Sequence, residues 1–351
     1  MIITASTRAD LLPACLRSLA RFAPRSIPFE TIVVLNESGP DAEAELRATV
    51  TGVQVVASPV NLGFAGAANR GRALAHGEFL VLLHDDAEIE PGWLEALVEA
   101  ADAHPEAGAI GGTVLHLDGR LQNAGLILWQ DGLTSSPWVG KAPAPNAFGR
   151  LRAVDYCGTS SLLVRAAAWD RIGGLDERYY PLYHTDVDLG MALRQIGLVV
   201  LYQPASRIRH HLSASTALRF KSFVGLRNWQ LFLEKWGAAL DEHEPAARDS
   251  PAAIKRAMAR AESVAERFRR AGPSKIELPA QRTAFDPVQQ ERRQLERSHA
   301  LHRAYVKHLT ETLDQAEEAS KRTFEQDRIL RSRSALFRRL VTMLVFGKRA
   351  A

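Results

Sequence analysis

The sequence predicts an α/β protein in which a mostly parallel sheet is flanked by helices and followed by an α-helical C-terminal extension. Three observations support this fold class. Short aliphatic and β-branched runs alternate with helix-like segments through the first 240 residues, which is typical of a doubly wound parallel sheet. One aliphatic run, residues 79–83, leads directly into acidic residues and then into a helix. Beyond residue 240 the composition shifts to Ala, Arg, Glu and Gln, which favour helices.

The predicted strands are short apolar runs bounded by polar or helix-like segments. They cover residues 2–5, 31–35, 53–57, 79–83, 109–115, 160–164 and 198–202. Parallel strands need crossover connections, which are almost always right-handed, so the loops after the strands collect at one edge of the sheet. Ligands of α/β folds bind at that edge.

The acidic cluster HDDAE, residues 84–88, follows the strand predicted at 79–83. Adjacent like charges repel one another, so such a cluster needs water, hydrogen-bond donors or a cation. A solvated acidic turn is the simpler interpretation for Asp85 or Glu90 taken alone. A ligand site therefore needs support from other parts of the chain.

A glycine-rich segment, residues 61–71, lies just before that strand. Glycines such as Gly63 let a backbone approach a ligand closely, and a helix N-terminus favours phosphate. The spacing matches neither a Walker loop nor the dinucleotide-binding fingerprint, so close helix packing explains the glycines equally well. The amides of Asn61 and Asn69 suit either a ligand contact or a bridge between loops.

Further polar residues cluster between residues 156 and 211. Asp186 and Asp188 begin a predicted helix, where carboxylates also complement the helix dipole. We assign that structural role to Asp188 and a chemical role to Asp186, because polar and aromatic residues crowd the segment before it. Of the adjacent His210 and His211, at most one is expected to bind a metal.

A long irregular insertion over a sheet edge is predicted at residues 118–150, which are rich in Gly, Pro and Asn. Such insertions often carry binding specificity. A loop packed by its own Trp129 and Trp138 is the alternative.

Charge and cysteine content limit the function classes. Residues 241–351 hold 23 Lys and Arg against 16 Asp and Glu, which leaves 21 against 24 for the first 240 residues. This distribution argues against nucleic acid as the main ligand and favours an anionic surface or partner for the tail. No export signal is visible at the N-terminus, and Cys15 and Cys157 lie in apolar surroundings. We therefore expect reduced thiols in a cytoplasmic protein.

The motifs, taken in order, resemble those of family 2 glycosyltransferases, including rhamnosyltransferase-like bacterial members. They read MIITASTR, ETIVVLN, NLGFAGAANRG, LLHDDAEIEPGW, CGTSSLLVR, GGLDERYYPLYHTDVDL and IRHH, and they fall within residues 1–236. The resemblance implies the Rossmann-like GT-A fold, a nucleotide-sugar donor, an inverting reaction, and Mg²⁺ or Mn²⁺ as cofactor. It also implies a glycosyltransferase domain at 1–240, and the composition beyond this domain predicts a helical extension at 241–351.

The resemblance implies roles for individual residues. Asp86 matches the last carboxylate of the family's DxD metal site, and Asp186 matches the general base. His210 or His211 matches a late metal ligand, with Glu88 as a further ligand. The implied nucleotide-sugar contacts are Thr4, Ser6, Arg8, Asn36, Asn61, Gly63, Asn69, Asp85 and Asp86. The implied acceptor-side residues are Gly158, Thr159, Tyr183 and His184.

Three positions depart from the family pattern. Leu35 stands where an Asp commonly contacts the nucleotide, which leaves Asn36 or Asp41 to substitute. His84 replaces the first Asp of the DxD element, and Thr185 replaces the Glu of the Glu-Asp pair. Both sites have therefore lost a carboxylate.

The C-terminal extension is predicted to be helical in three parts. It comprises a helix at 251–271, a linker at 272–287, a long polar helix at 288–327 and a basic amphipathic helix at 331–348. The last helix is too short to span a bilayer. It suits an anionic membrane surface, at the inner face of the cell membrane, or docking on its own protein or a second copy.

The expected function is transfer of a hexosyl or deoxyhexosyl group from a nucleotide-sugar to a hydroxyl of a glycan or lipid-linked acceptor, in cell-surface polysaccharide assembly. The residue types suit this reaction, because a divalent cation stabilises a departing diphosphate and a carboxylate can accept the proton of a hydroxyl. A catalytically silent GT-A scaffold or a nucleotidyltransferase is the alternative. A nucleotidyltransferase would need a basic Gly-rich loop for a triphosphate, which the sequence lacks.

Overall fold

A mixed β-sheet forms the centre of the computed structural model, which describes residues 1–5, 11–142, 149–211, 218–272 and 285–346. Its strands are β1 Ile2–Ala5, β2 Ile32–Asn36, β3 Gln54–Ser58, β4 Phe79–His84, β5 Ala87–Ile89, β6 Ala107–Leu115, β7 Leu121–Asn123, β10 Arg152–Val154, β11 Ser161–Arg165 and β12 Val199–His210. A separate hairpin consists of β8 Ile127–Leu128 and β9 Thr134–Ser135.

Helices occupy most of the connections between the strands. They are α1 Leu12–Phe22, α2 Pro40–Thr49, α3 Gly63–Leu74, α4 Trp93–Ala103, α5 Ala166–Ile172, α6 Thr185–Gln195, α7 Leu218–Trp236, α8 Pro251–Ala271 and α9 Pro287–Phe346.

The order of strands along the sheet is β3-β2-β1-β4-β11-β6-β12-β10. The first four strands of this order run parallel, as the sequence predicts. β11 enters antiparallel between β4 and β6, while β12 again runs parallel to β6. The fold class is therefore confirmed, with β11 as the strand that makes the sheet mixed.

Both faces of the sheet are covered, as the alternation along β2 illustrates. Val33 and Leu35 pack into one apolar cluster with α1 and α4, whereas Ile32 and Val34 pack into a second cluster with α3 and α6. Alternate residues of a strand point to opposite faces. Strands buried on both faces read as continuous apolar runs, which is why the sequence reveals them.

The last strand is much longer than the sequence predicts. The expected strand 198–202 continues to His210, because β5 pairs antiparallel with its second half. In that pairing Ala87 lies opposite His210. Residues 208–210 of the IRHH motif thus belong to the strand, and they lie beside the turn that carries the acidic cluster.

The C-terminal helices differ from the prediction in one respect. α8 has the predicted bounds, but the two helices expected at 288–327 and 331–348 are a single helix, α9. The residues between them, 328–330, include neither Gly nor Pro, so nothing in the sequence ends the helix there. Residues 273–284 of the predicted linker, and residues 347 and 348, lie outside the described residues.

By contacts within the chain, Met1–Ser298 forms one compact unit and His299–Ala351 a second. α8 belongs to the first unit, where its Ala253 and Ala257 pack against Trp129. The functional division at residue 240 stays a prediction. In the described part of the chain, no helix combines the length and the apolar character needed to cross a membrane.

Candidate active site

Three side chains converge where β4, β5 and β12 meet. His84 ends β4, Asp86 lies in the turn before β5, and His210 ends β12. Nε2 of His210 is 2.9 Å from Oδ1 of Asp86, and Nδ1 of His84 is 3.8 Å from the same oxygen. One potential ligand atom from each residue lies within 4.8 Å of the others. We call these three residues the metal cluster.

The chemistry of the metal cluster fits a divalent cation. Burial, reinforced by nearby His210, lowers the pKa of His84 to about 4, although Asp86 opposes the shift. His84 is therefore a neutral imidazole near pH 7, the form that binds metals. Its Nε2 is buried and has no hydrogen-bond partner among the described residues. Nε2 of His210, 2.9 Å from Oδ1 of Asp86, is also buried and has no hydrogen-bond partner among the described residues. A cation would satisfy such unpaired buried nitrogens.

Gln122 fixes the orientation of His210. Its Oε1 lies 3.0 Å from Nδ1 of His210. A bond from Nδ1–H to this oxygen keeps the proton on Nδ1 and directs the free Nε2 lone pair towards Asp86. This role could not be predicted, because Gln122 lies in the segment predicted to be an irregular insertion and belongs to no motif.

The metal roles expected for Glu88 and His211 find no support in this geometry. Nε2 of His211 is 2.8 Å from Oε1 of Glu88, so the two side chains pair with each other. His211 follows His210 directly, and adjacent residues of an extended chain point in opposite directions. Between the two histidines, the structure thus favours His210 as the metal ligand. The backbone N–H of His211 donates to the carbonyl of Asp86, which holds the turn in place.

A cavity of about 1020 Å³ adjoins the metal cluster. His84 and His210 line it, and so does Asp186, the predicted general base. The predicted acceptor-side residues also line it, namely Gly158, Thr159, Tyr183 and His184. The fold therefore brings His84 and Asp186, which are more than a hundred positions apart in the sequence, to the same cavity.

Asp186 opens onto this cavity from the first turn of α6. Burial raises the pKa of its carboxyl to about 6, although the backbone N–H of Val187, 3.0 Å from Oδ1, opposes the shift. Gly158 borders the space in front of Asp186. A Cβ at Gly158 would lie 4.0 Å from Oδ2 of Asp186 and 3.1 Å from Nδ2 of Asn123.

The backbone before Asp186 is strained. Tyr183 and His184 have φ values of 72° and 66°, in the left-handed region that side chains rarely adopt. Such residues cost about 1–3 kcal/mol each and persist where surrounding structure holds them. The fully buried Asn228 of α7 does so, since its Nδ2 donates to the carbonyl of Leu182 at 2.8 Å and to that of Tyr183 at 3.3 Å. Asn228 is a positioning residue that the sequence did not reveal.

The start of α9 supports the other end of this segment through Glu177. The carboxylate of Glu177 accepts hydrogen bonds from Gln290 and Gln294, and it pairs with Arg297 at 3.0 Å. Asn69 of α3 donates to the same carboxylate. The loop before the base is thus held from three helices, α3, α7 and α9.

Two of the expected nucleotide contacts are occupied by structural interactions. The amide of Asn69 donates to the carbonyl of Leu175 and accepts from its N–H, both at 2.9 Å. Asn69 therefore bridges two loops, which is the structural role that its amide suits as well as a ligand contact. Gly63 has a φ of 65°, and an added Cβ would lie 2.9 Å from Cδ2 of Tyr180, so close packing explains this glycine.

The remaining donor-side residues lie near the end of β2 and β1. Nδ2 of Asn36 is 3.4 Å from Oδ1 of Asn61, whose own Nδ2 donates to Glu37. Leu35 is buried in the core, so it cannot replace the missing Asp. The backbone of Thr4 pairs with that of His84, beside the metal cluster. Ser6 and Arg8 lie outside the described residues.

Sequence comparison relates part of the chain to a known family. Residues 1–172 match the family described as glycosyl transferase family 2. The O-antigen biosynthesis protein RfbC of Myxococcus xanthus is 31% identical over 230 residues, which are 61% of this chain and 17% of that protein. The N-acetylglucosaminyl-diphospho-decaprenol L-rhamnosyltransferase of Mycobacterium tuberculosis (strain CDC 1551 / Oshkosh) is 30% identical over 186 residues, 47% of this chain and 60% of that protein.

The fold is similar to that of a solved glycosyltransferase. The crystal structure of GalNAc-T7 with UDP, GalNAc and Mn²⁺ superposes with a TM-score of 0.55 at 13% identity, covering 69% of this chain and 49% of that one. This likeness supports the predicted GT-A fold. Together with the ordered motifs around one cavity, the match of residues 1–172 makes this part of the chain similar to glycosyl transferase family 2.

Proposed function

We propose that the protein is an inverting, metal-dependent glycosyltransferase that moves a hexosyl or deoxyhexosyl group from a nucleotide-sugar to a hydroxyl acceptor. The observation that carries this proposal is the cavity lined both by Asp186 and by the histidines of the metal cluster. A diphosphate-binding group and a base must face the same sugar from opposite sides in such a reaction. The names of RfbC and of the rhamnosyltransferase add support for a role in cell-surface polysaccharide assembly.

Asp186 takes the proton of the acceptor hydroxyl as its oxygen attacks the anomeric carbon. A new carbon–oxygen bond forms there while the bond to the diphosphate breaks, and its electron pair leaves with the diphosphate. A carboxylate with a pKa of about 6 is ionised at neutral pH and still basic enough for this task. One displacement inverts the configuration and needs no covalent intermediate.

His84, Asp86 and His210 would hold the divalent cation. When bound, the cation would stabilise the negative charge that develops on the departing diphosphate. Two imidazoles and one carboxylate suit Mn²⁺ better than Mg²⁺, which prefers oxygen ligands. We therefore favour Mn²⁺ of the two ions that the family resemblance implies.

The donor and acceptor would occupy different ends of the site. For the nucleotide we propose contacts from Thr4, Ser6, Arg8, Asn36, Asn61 and Asp85. Because Leu35 is buried, Asn36 is the polar group that remains at the end of β2. For the acceptor we propose Gly158, Thr159, Tyr183 and His184, which line the cavity around the base.

A panel of UDP-, GDP- and dTDP-sugars tests this function. The purified protein is incubated with each donor and Mn²⁺, and release of the nucleoside diphosphate by slow hydrolysis is measured. We expect release from at least one donor, its loss when EDTA replaces Mn²⁺, and its loss in Asp86→Asn but not in Asp102→Asn, an exposed residue of α4. If no donor is hydrolysed, or if Asp86→Asn behaves like the unaltered protein, the proposal is wrong.

A further inference from the structure

The first turns of α9, residues 287–298, are buried through polar side chains. Gln290 and Gln294 are 3% and 0% exposed, although glutamine is mostly found at protein surfaces. Both belong to the compact unit that contains the sheet and ends at Ser298. Burial of an amide is unfavourable unless it has hydrogen-bond partners, so the partners of these side chains indicate what this part of the helix does. We call residues 287–298 the docking segment.

Part of the glycine-rich segment forms the surface that receives the docking segment. Nε2 of Gln290 donates to the carbonyl of Gly66 at 2.9 Å, and an added Cβ at Gly66 would lie 3.0 Å from Nε2 of Gln294. Arg70, which is buried, pairs with Glu291 at 2.8 Å. Gly66 and Arg70 are four residues apart on α3 and therefore share one face of that helix. This face of α3 is thus a contact surface for α9.

The docking segment also binds the carboxylate of Glu177, ahead of the predicted base. Oε1 of Glu177 accepts from Gln290 at 2.9 Å, and Oε2 accepts from Gln294 at 2.7 Å and from Arg297 at 3.0 Å. Hydrogen bonds to an ionised group are shorter and stronger than those between neutral groups. Three side chains of α9 therefore fix the position of one carboxylate.

The segment between Glu177 and Asp186 forms a wall of the cavity, which residues 182–187 line. Its Tyr180 is buried and shares a side-chain hydrogen bond with Ser298, the last residue of the docking segment. The strained backbone that follows Tyr180 persists only where surrounding structure holds it. Displacement of Glu177 or Tyr180 therefore shifts the backbone that directs the Asp186 carboxylate into the cavity.

The contacts of the docking segment suit positioning better than stabilisation. They are hydrogen bonds and ion pairs, and a buried polar network can favour one arrangement while adding little net stability. None of the described residues of α9 lines the cavity. The helix can therefore affect the reaction only through the residues that it holds.

We propose that the docking segment is a positioning element of the active site, which holds Glu177 and thereby the loop that carries Asp186. Transfer then requires the C-terminal extension, although the expected glycosyltransferase domain ends at residue 240. This inference rests on the proposed function for the role of Asp186. The metal cluster lies on β4, β5 and β12 and is not held by α9, so loss of the docking contacts should leave donor and Mn²⁺ binding intact.

Two substitutions release the loop from different sides. Glu177→Ala removes the carboxylate, and Gly66→Leu puts a side chain where Gln294 lies without altering α9 or the loop. The activity measured is hydrolysis of a donor from the nucleotide-sugar panel, in which water replaces the acceptor and also needs a base. Because a displacement of about 1 Å can cost about 10²-fold in rate, each variant should lower kcat about tenfold or more. KM for the donor should stay within about twofold.

Rates are expressed per Mn²⁺ site, counted by titration of each variant, so that loss of folded protein does not count as loss of kcat. The variant that carries both changes should lose no more than about threefold beyond Glu177→Ala, because both changes act through the same carboxylate. If Gly66→Leu binds no Mn²⁺, Arg70→Ala replaces it, since that change removes the ion pair with Glu291.

Matched controls are Gly237→Leu, where a Cβ meets nothing within 4 Å, and Glu296→Ala on an exposed position of α9. Both should behave like the unaltered protein. Variants of the docking contacts with the kcat of these controls, losses that appear in KM instead, or single losses that multiply in the double variant would overturn the inference. If the unaltered protein hydrolyses a donor and the variants match the controls, only this inference fails. If the unaltered protein hydrolyses none, the proposed function fails as well.

Discussion

Asp186 and Asp188 lie two residues apart on α6, yet their carboxylates meet opposite surroundings. Asp186 opens onto the cavity. Asp188 is buried, accepts hydrogen bonds from Tyr179 at 3.0 Å and Trp236 at 2.7 Å, and pairs with Lys235 at 2.8 Å. The three partners of Asp188 give its carboxylate a structural role. The carboxylate of Asp186 faces the cavity and can contact a substrate. The two residues should therefore give opposite phenotypes.

Asp186→Asn should abolish transfer while leaving the fold intact. A general base contributes about 10²- to 10⁴-fold to rate, so we expect kcat to fall by about 10³-fold. Asn is neutral and removes a charge that burial disfavours, so the melting temperature should stay the same or rise. Transfer assays and thermal melts on the same preparation check both. Retention of more than a tenth of the activity would contradict the assigned role.

Asp188→Asn should destabilise the fold. Removing one member of a buried ion pair costs about 3–5 kcal/mol, and the new amide would also face the donors of Tyr179 and Trp236. Because Lys235 is partly exposed, we expect the lower end, about 3 kcal/mol by urea unfolding. Asp102→Asn, on an exposed position of α4, is the control and should change stability little. Equal stability of Asp188→Asn and Asp102→Asn would contradict the structural role of Asp188.

The rate should depend on pH through Asp186. The base must be deprotonated to accept a proton, so kcat/KM should fall about tenfold per pH unit below the pKa of about 6 and level off above it. Repeating the profile at tenfold higher Mn²⁺ separates this titration from loss of metal, because only the latter responds to Mn²⁺. A profile that is flat from pH 5 to pH 7 would contradict a base with this pKa.

Gln122→Leu should weaken metal binding without touching a metal ligand. It removes the oxygen that orients His210, and loss of such a partner typically costs about 10- to 100-fold in metal affinity. We expect at least a tenfold rise in the Mn²⁺ dissociation constant. Gln122→Glu keeps an acceptor at that position and should retain most of the affinity. Gln130→Leu, on an exposed residue of the same insertion, is the matched control.

The basic C-terminal segment should bind anionic membranes. Residues 331–351 carry six Lys and Arg and no Asp or Glu, and each basic group near an anionic surface contributes about 1 kcal/mol. Co-sedimentation with vesicles containing phosphatidylglycerol should fall when residues 331–351 are removed, and with phosphatidylcholine vesicles it should be weak for both forms. Equal pelleting of the two forms would leave self-association, visible by size-exclusion chromatography, as the role of the tail.

The sequence predicted the parallel half of the sheet and the two carboxylates of the site. Continuous apolar runs mark buried strands, and Asp86 and Asp186 belong to ordered motifs that resemble a known family. In the motif His84 counts only as the loss of a carboxylate, whereas in the structure its ring lies beside Asp86 and His210. Whether His84 can serve as a metal ligand in place of an Asp depends on its distances to Asp86 and His210, which the motif alone does not give.

The supporting residues could not be found from the sequence. Gln122 acts through one hydrogen bond to a partner 88 residues away, and Asn228 acts through two, to partners 46 and 45 residues away. Such contacts leave no periodic pattern. The contact between His211 and Glu88 was equally hidden from the sequence, and their metal roles stay predictions. Which face a side chain takes in β12 depends on its pairing with β5, a strand too short to predict.

We expect His84, Asp86 and His210 together to hold the divalent ion that the nucleotide needs. Electron paramagnetic resonance measures this binding when Mn²⁺ is titrated into the unaltered protein, Asp86→Asn and Asp186→Asn, each with and without UDP, GDP or dTDP. We predict one Mn²⁺ per chain, tighter with at least one of the nucleotides, lost in Asp86→Asn and kept in Asp186→Asn. Equal Mn²⁺ binding by Asp86→Asn and the unaltered protein, or no binding with any nucleotide, would contradict the account.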